Sequence, residues 1–276
     1  MSKIYCSTGV MVGRMNNNDY TLIAKHFPSL YTKGLIDGAE FMFAHSFYDK
    51  LDDIYNTLSN IGVPFDVIHC DKEIGIMLSE CDNSTTQQAL ELLKINCSFG
   101  KRLGAKKGVF HLWGSTKSDS HIEYNISILP EIIKIFEENS IELLIENIPC
   151  TSHSGLENWQ KILALYPKIG FIFDTRFGAF HDEIDATLNE PIWDNIKHIH
   201  ISDYSSFPRD FSKIRPILHP CEGVIDFNHL FDELQRVNYH NSFTLESPVM
   251  HESYTDINKL EHTLIYLNSI VKSHAL

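Results

Sequence analysis

Four residues of this sequence have types and positions that together suit a metal ion: Glu146, Asp174, His200 and Glu246. Each closes or nearly closes a short apolar run, at 143–146, 171–174, 198–201 and 243–246. Successive residues of a strand point to opposite faces, so in Phe171-Ile172-Phe173-Asp174 the two phenylalanines face one way and Asp174 the other. In His198-Ile199-His200-Ile201 the isoleucines take one face and the histidines the other, and in Phe243-Thr244-Leu245-Glu246 the polar pair Thr244 and Glu246 shares a face. Three carboxylates aimed at one point repel and raise one another's pKa, and a divalent cation relieves that repulsion. Carboxylate oxygens with one neutral imidazole and no thiolate suit Mn, Mg, Co or Zn. The plainer alternative is that each is an ordinary polar strand end. Four in succession on the same parity argue against it.

Such a point needs strands that converge. Eight apolar runs can be read along the chain: 4–7, 40–43, 65–69, 109–112, 143–146, 171–174, 198–201 and 243–246. Between them lie segments of helical period. Leu51, Ile54, Tyr55, Leu58 and Ile61 form one apolar stripe; Phe227, Leu230, Phe231, Leu234 and Val237 form a second, with Asp226 where an N-cap is wanted; Ile257, Leu260, Leu264, Leu267 and Val271 form a third. Eight strand–helix units predict an α/β fold, a single (β/α)8 barrel over residues 1–276. An open doubly wound sheet is the competing architecture, but it usually carries a glycine-rich phosphate turn, and none is present. In a barrel the polar strand ends fall on the C-terminal rim, where barrel enzymes keep their chemistry.

Length and composition agree. The chain has 276 residues, 43% hydrophobic and 21% charged, which suits a globular domain with a large core. Its net charge is −13, from 23 Lys+Arg against 36 Asp+Glu, which disfavours nucleic acid as a partner. No apolar run reaches the ~18–20 residues of a membrane span. Residues 1–10 lack the basic-then-apolar pattern of a secretory signal, and the six cysteines form no CxxC pair, so reduced thiols and a cytoplasmic location are expected.

The stretches Leu144-Ile145-Glu146-Asn147, Phe173-Asp174-Thr175, His198-Ile199-His200-Ile201-Ser202-Asp203, Cys221-Glu222-Gly223-Val224-Ile225-Asp226-Phe227 and Thr244-Leu245-Glu246 resemble the xylose isomerase-like barrel superfamily. That superfamily includes ketose 3-epimerases, hydroxypyruvate isomerases, inosose dehydratases and the endonuclease IV group. The resemblance runs over nearly the whole chain. It implies that Glu146, Asp174, His200 and Glu246 are the shared metal ligands, and that Glu146 and Glu246 are the catalytic pair exchanging protons with substrate from opposite faces. His69 and His111, which end strands three and four with inward parity, resemble the two histidines that hold another zinc in endonuclease IV. A second metal bridged by Glu146 is one role for them, and hydrogen bonding to substrate hydroxyls is the other.

The departures from the family pattern matter as well. The endonucleases carry a His three residues after the strand-six Asp, where this chain has Phe177, and their third-zinc ligands in a later loop fall on Arg215 and Ile217. The epimerases commonly have a His at the Phe177 position and an Arg at the Ser206 position. Arg209 or Arg215 can stand in from the same loop, where with Lys213 they form a positive cluster able to meet a phosphate or carboxylate, or simply a solvated loop. Trp113 and Phe177 are expected near the mouth, as surfaces for a sugar or as shields. Glu40 is expected to begin strand two at the bottom of the barrel, in a structural role.

The leading expectation is a metal-dependent isomerase or epimerase of a small sugar or keto-polyol, working by proton transfer next to a carbonyl. A keto-cyclitol dehydratase begins with the same step. An endonuclease IV-like phosphoesterase or nuclease is the second class, and a non-catalytic barrel that binds a sugar or scaffolds a partner is the third. The expected partner is a small carbohydrate, with a homo-oligomer also compatible with the sequence.

Overall fold

The computed structural model describes residues 2–206 and 208–276. Eight strands, β1 (Ile4–Ser7), β2 (Gly38–Met42), β3 (Val67–His69), β4 (Lys107–Phe110), β5 (Glu142–Glu146), β6 (Gly170–Asp174), β7 (Ile196–Ile201) and β8 (Ser242–Leu245), pair in parallel and in chain order. Ile4 pairs with Phe243 and Cys6 with Leu245, closing the ring into a (β/α)8 barrel. Helices α1 (Thr21–Thr32), α2 (Leu51–Leu58), α3 (Lys72–Leu78), α4 (Asn83–Leu103), α5 (Ile122–Glu138), α6 (Gly155–Leu165), α7 (Thr175–His181), α8 (Ile184–Asn189), α9 (Phe227–Arg236) and α10 (Ile257–Ser273) fill the crossovers. One helix per strand was the expectation; β3 and β6 are each followed by two. No helix of the described residues is long and apolar enough to cross a membrane.

All eight apolar runs lie on strands, with ends displaced by up to two residues. The run 109–112 begins pairing earlier, at Lys107, because a ladder bonds main chain and is indifferent to side-chain polarity. Its last members, His111 and Leu112, lie past the strand. Glu246 lies one residue past β8, yet its N–H still bonds Ile201 O at 3.1 Å.

Strand parity separates two apolar layers. The large one lies between strands and helices; Ile199, Ile201, Phe171, Phe173, Phe243 and Leu245 all belong to it. The small one, Tyr5, Val67, Val109, Leu144 and Ile172, is a distinct cluster that fills the lower interior of the barrel. His198 and His200 share neither; they project inward, His198 beside Ile172 of that plug and His200 two residues further along β7, both fully buried. The stripes of α2, α9 and α10 bury Ile54 and Leu58, Leu230, Phe231 and Leu234, and Leu260, Leu264 and Leu267. Asp226 caps α9, accepting from His229 N at 3.0 Å.

Between β6 and β7 the register slips by one residue: Phe171 pairs with Ile196, but Ile172 with His198. The bulge places Asp174 directly beside His200. A regular ladder from Phe171 would have put an isoleucine there.

Candidate metal centre

The strand ends meet above the apolar plug. One ligand atom from each of Glu146, Asp174, His200 and Glu246 lies within 4.8 Å of the others, and all four residues are buried. Glu146 is central. Its Oε1 is 2.8 Å from His200 Nδ1, and its Oε2 is 2.5 Å from His111 Nε2 and 3.7 Å from His69 Nε2. Glu246 Oε2 stands 3.5 Å from His200 Nδ1.

Local structure fixes these side chains. Asp174 is both the last residue of β6 and the N-cap of α7: its Oδ1 accepts from Arg176 N at 2.7 Å and Phe177 N at 3.1 Å. That use of one oxygen leaves Oδ2 facing the centre. Oδ2 has no hydrogen-bond partner, and the Arg176 guanidinium stands off at 3.5 Å. Asn147 grips the main chain of Asp174, as does Asp203 the turn at Gly223, where it accepts from Gly223 N at 2.8 Å and Ile225 N at 3.1 Å. His69 Nδ1 lies 2.9 Å from the Cys70 carbonyl, which can only accept, so Nδ1 donates there and Nε2 is the edge turned toward Glu146. His69 Nε2 and Glu246 Oε1 are likewise buried without partners.

The electrostatics are those of a cluster with excess negative charge. Burial raises the Asp174 and Glu246 carboxyls above their ordinary range. Burial acts the same way on Glu146, but His111 and His200 overcome it and hold that carboxyl well below. Burial would lower His200, yet the carboxylates of Glu246, Glu40 and Glu146 hold it well above 6.5. His111 is pushed down to about 4, burial outweighing the pull of Glu146. Bare, buried ligand atoms of oxygen and imidazole nitrogen, gathered with surplus negative charge, fit a hard or borderline divalent cation.

The other expected residues fall in different places. His69 and His111 join Glu146 in a second three-ligand group, and their rings meet edge to face at 5.0 Å. Phe177 is buried under the Arg176 guanidinium, 4.1 Å from its ring centre. Trp113 is a correction: it is completely buried in the main core instead of offering a face at the mouth. α3 packs against the backbone there, so that a Cβ on Gly75 would lie 2.7 Å from Trp113 O. Arg209 and Arg215 are exposed on the loop after β7. Glu40 is the second correction. It sits in the middle of β2, fully buried and turned inward, with Oε2 2.9 Å from His200 Nε2. A glutamate between Ala39 and Phe41 in an apolar run was the available signal. Arg176 and Lys72 were also missed. Lys72, exposed at the start of α3, lends positive potential that opposes the burial shift of Glu246.

The family model described as xylose isomerase-like TIM barrel matches residues 34–269. The chain belongs to the xylose isomerase-like TIM barrel family. No curated protein matches it in sequence. Among solved structures it resembles a D-tagatose 3-epimerase-like protein, at TM-score 0.69 and 18% identity over 98% of this chain and 99% of that one. It resembles the IOLI protein, solved with a binding zinc atom, at TM-score 0.74 and 17% identity over 99% of each chain. A third likeness is to the E. coli 3-keto-D-glucoside 4-epimerase YcjR, at TM-score 0.68 and 15% identity over 98% of this chain and 100% of that one. At such identities these likenesses establish the shared fold. Within this family frame Glu146, Asp174, His200 and Glu246 gather at the C-terminal ends of β5 to β8, the rim where barrel active sites form.

Proposed function

We propose that this xylose isomerase-like barrel is a divalent-metal-dependent isomerase or epimerase of a small sugar or keto-polyol. Residues 1–276 act as one domain, working in the cytoplasm with all six cysteines as thiols. The observation that carries this reading is the gathering of Glu146, Asp174, His200 and Glu246 within 4.8 Å, with the two glutamates arriving from strands that flank the other two ligands. The epimerases named among the structural likenesses support the substrate class.

Glu146, Asp174, His200 and Glu246 would hold the ion; when bound, it would polarise the substrate carbonyl and stabilise the charge that develops on its oxygen. Glu146 and Glu246 then act on the carbon beside that carbonyl. One carboxylate removes the proton from one face and the other returns a proton to the opposite face. Their environments differ in the useful direction, with Glu146 held ionised by His111 and His200 and Glu246 shifted toward the protonated form by burial. His111, neutral near pH 7, donates Nε2–H to Glu146 and keeps its carboxylate oriented.

Incubation with candidate ketoses, ketose phosphates and inososes in deuterated water tests the reading. A true substrate gains solvent deuterium at the carbon beside the carbonyl, and Glu246→Gln abolishes the exchange, with metal content measured in parallel. No exchange with any of these compounds in metal-loaded protein would overturn it. An inosose that exchanges and also loses water would select the keto-cyclitol dehydratase.

A second reading rests on the group His69, His111 and Glu146, with His69 Nε2 bare: two adjacent ions and an endonuclease IV-like phosphoesterase. Against it stand Phe177 where that group has a His, and the net charge of −13. Cleavage of abasic DNA well above background, without hydrogen exchange, would select it.

A further inference from the structure

Glu40 is a carboxylate in the least hospitable place in the molecule. It faces the barrel interior beside Val67 of the apolar plug, fully buried, and lies outside the quartet, grouped instead with His198 and His200. An isolated buried carboxylate costs several kcal/mol, so its retention at the centre of the fold calls for a partner that gains from it. The partner is His200. Glu40 Oε2 is 2.9 Å from His200 Nε2, while His200 Nδ1, on the opposite edge of the ring, faces Glu146 at 2.8 Å and Glu246 at 3.5 Å. Both ring edges thus face a carboxylate, and an ion on Nδ1 would leave the ring proton on Nε2, where Glu40 accepts it. Nδ1 is the edge that faces the three other residues of the quartet.

His198 completes the support from below. Its Nε2 is 3.5 Å from Glu40 Oε2, and its ring is held between Ser242 Oγ and Thr244 Oγ1, each at 2.6 Å. Ser242 and Thr244 lie on β8, opposite His198 and His200 on β7. Glu40 therefore links β2 to β7 across the barrel axis.

We infer that Glu40 is a positioning residue for the metal centre: it fixes the tautomer and ring orientation of His200 so that Nδ1 is presented to the ion. This role rests on the metal-dependent reading above. Carboxylates that accept from a ligand histidine raise its donor strength, and losing one weakens metal binding or activity by 10–100-fold.

The test uses the full chain loaded with zinc, comparing wild type, Glu40→Gln, Glu40→Leu and the control Tyr5→Phe. Tyr5→Phe keeps the ring in the apolar plug and removes only the hydroxyl that donates to Asp66 Oδ2 at 2.8 Å. Zinc affinity is measured by chelator competition, and the His200 tautomer by nitrogen-15 NMR of labelled histidine, assigned with His200→Ala. In wild type, His200 should bind zinc through Nδ1 and show a slowly exchanging Nε2–H. Glu40→Gln keeps an acceptor but loses the charge, so affinity should fall about tenfold with the tautomer retained. Glu40→Leu should lower affinity by up to about 100-fold and lose the protected Nε2–H signal. Tyr5→Phe should stay within about threefold of wild type. Circular dichroism confirms folding, and Glu40→Gln keeps the test decisive where Glu40→Leu fails to fold. If wild type binds zinc through His200 and both Glu40 variants match it in affinity, the positioning role falls while the site stands. If wild type takes up no zinc through His200, the metal-centre reading falls and takes this role with it.

Discussion

Asn147 holds the backbone of Asp174 by both ends of its amide: Asp174 N donates to Asn147 Oδ1 at 2.7 Å, and Asn147 Nδ2 donates to Asp174 O at 3.2 Å. Both residues are buried, so no water replaces these bonds. The clamp joins the ends of β5 and β6 and sets the height at which Asp174 leaves its strand. Asn147→Ala leaves an N–H and a carbonyl unpaired, and should destabilise the fold by about 1–3 kcal/mol. Chemical denaturation would read the loss. Retention of the wild-type midpoint would show that the main chain of Asp174 is held by other means.

Metal retention tests the ligand set directly. Asp174→Asn together with His200→Ala should strip the purified protein of its divalent ion, because one variant removes charge and the other a donor from the same quartet. Elemental analysis after exhaustive dialysis gives the stoichiometry. A double variant that keeps a full equivalent would place the ion elsewhere.

Proton linkage gives a signature with a definite sign. Burial alone would lower His200, but Glu246, Glu40 and Glu146 hold its folded pKa well above 6.5. The proton it keeps stabilises the metal-free fold, a contribution complete below about pH 6.5 and lost as pH rises through the folded value. With a chelator present, stability should therefore fall by up to roughly 1 kcal/mol per pH unit between about pH 6.5 and 8. At saturating metal, the His200 part of that slope should vanish, since the ion takes the place of the proton. Equal slopes with and without metal would separate His200 from the binding site.

Gly223 offers a test away from the ligands. A Cβ there would stand 2.1 Å from Tyr204 O and 2.5 Å from Asp203 Oδ1, so alanine must push backbone aside and break the bond from Gly223 N to Asp203. Gly223→Ala should lower stability by about 1–3 kcal/mol. Metal content should be unchanged, because none of the four ligands lies on this turn. A thermal midpoint equal to wild type would mean that the loop relaxes freely.

Much of this architecture can be read from the sequence because period and parity are local properties. The run 198–201 declares by alternation alone that Ile199 and Ile201 meet helices while His198 and His200 meet the axis, and both outcomes hold. What alternation cannot supply is which inward residues touch. Glu40 looks structural in its own segment, because its partner lies 160 residues away on a strand that never pairs with β2. Trp113 fails for a related reason. Its burial is a tertiary fact with no trace in residues 109–113. The two helices after β3 follow from capping, since Asp71 and Asp82 each accept from a main-chain N–H and start a helix, while after β6 the left-handed backbone of Asp182 ends α7 before α8 begins.

The bond between Glu40 and His200 also makes the centre a sensor of assembly. β2 is made early in the chain and β7 late, and only the closed ring brings them face to face across the axis. A half-barrel carrying β5 to β8 would own all four ligand residues and still lack the acceptor that directs His200. During refolding, then, tight metal uptake should lag behind helix formation and coincide with the docking of β1 against β8. The ion would act as a late lock on a finished barrel, with no part in templating it.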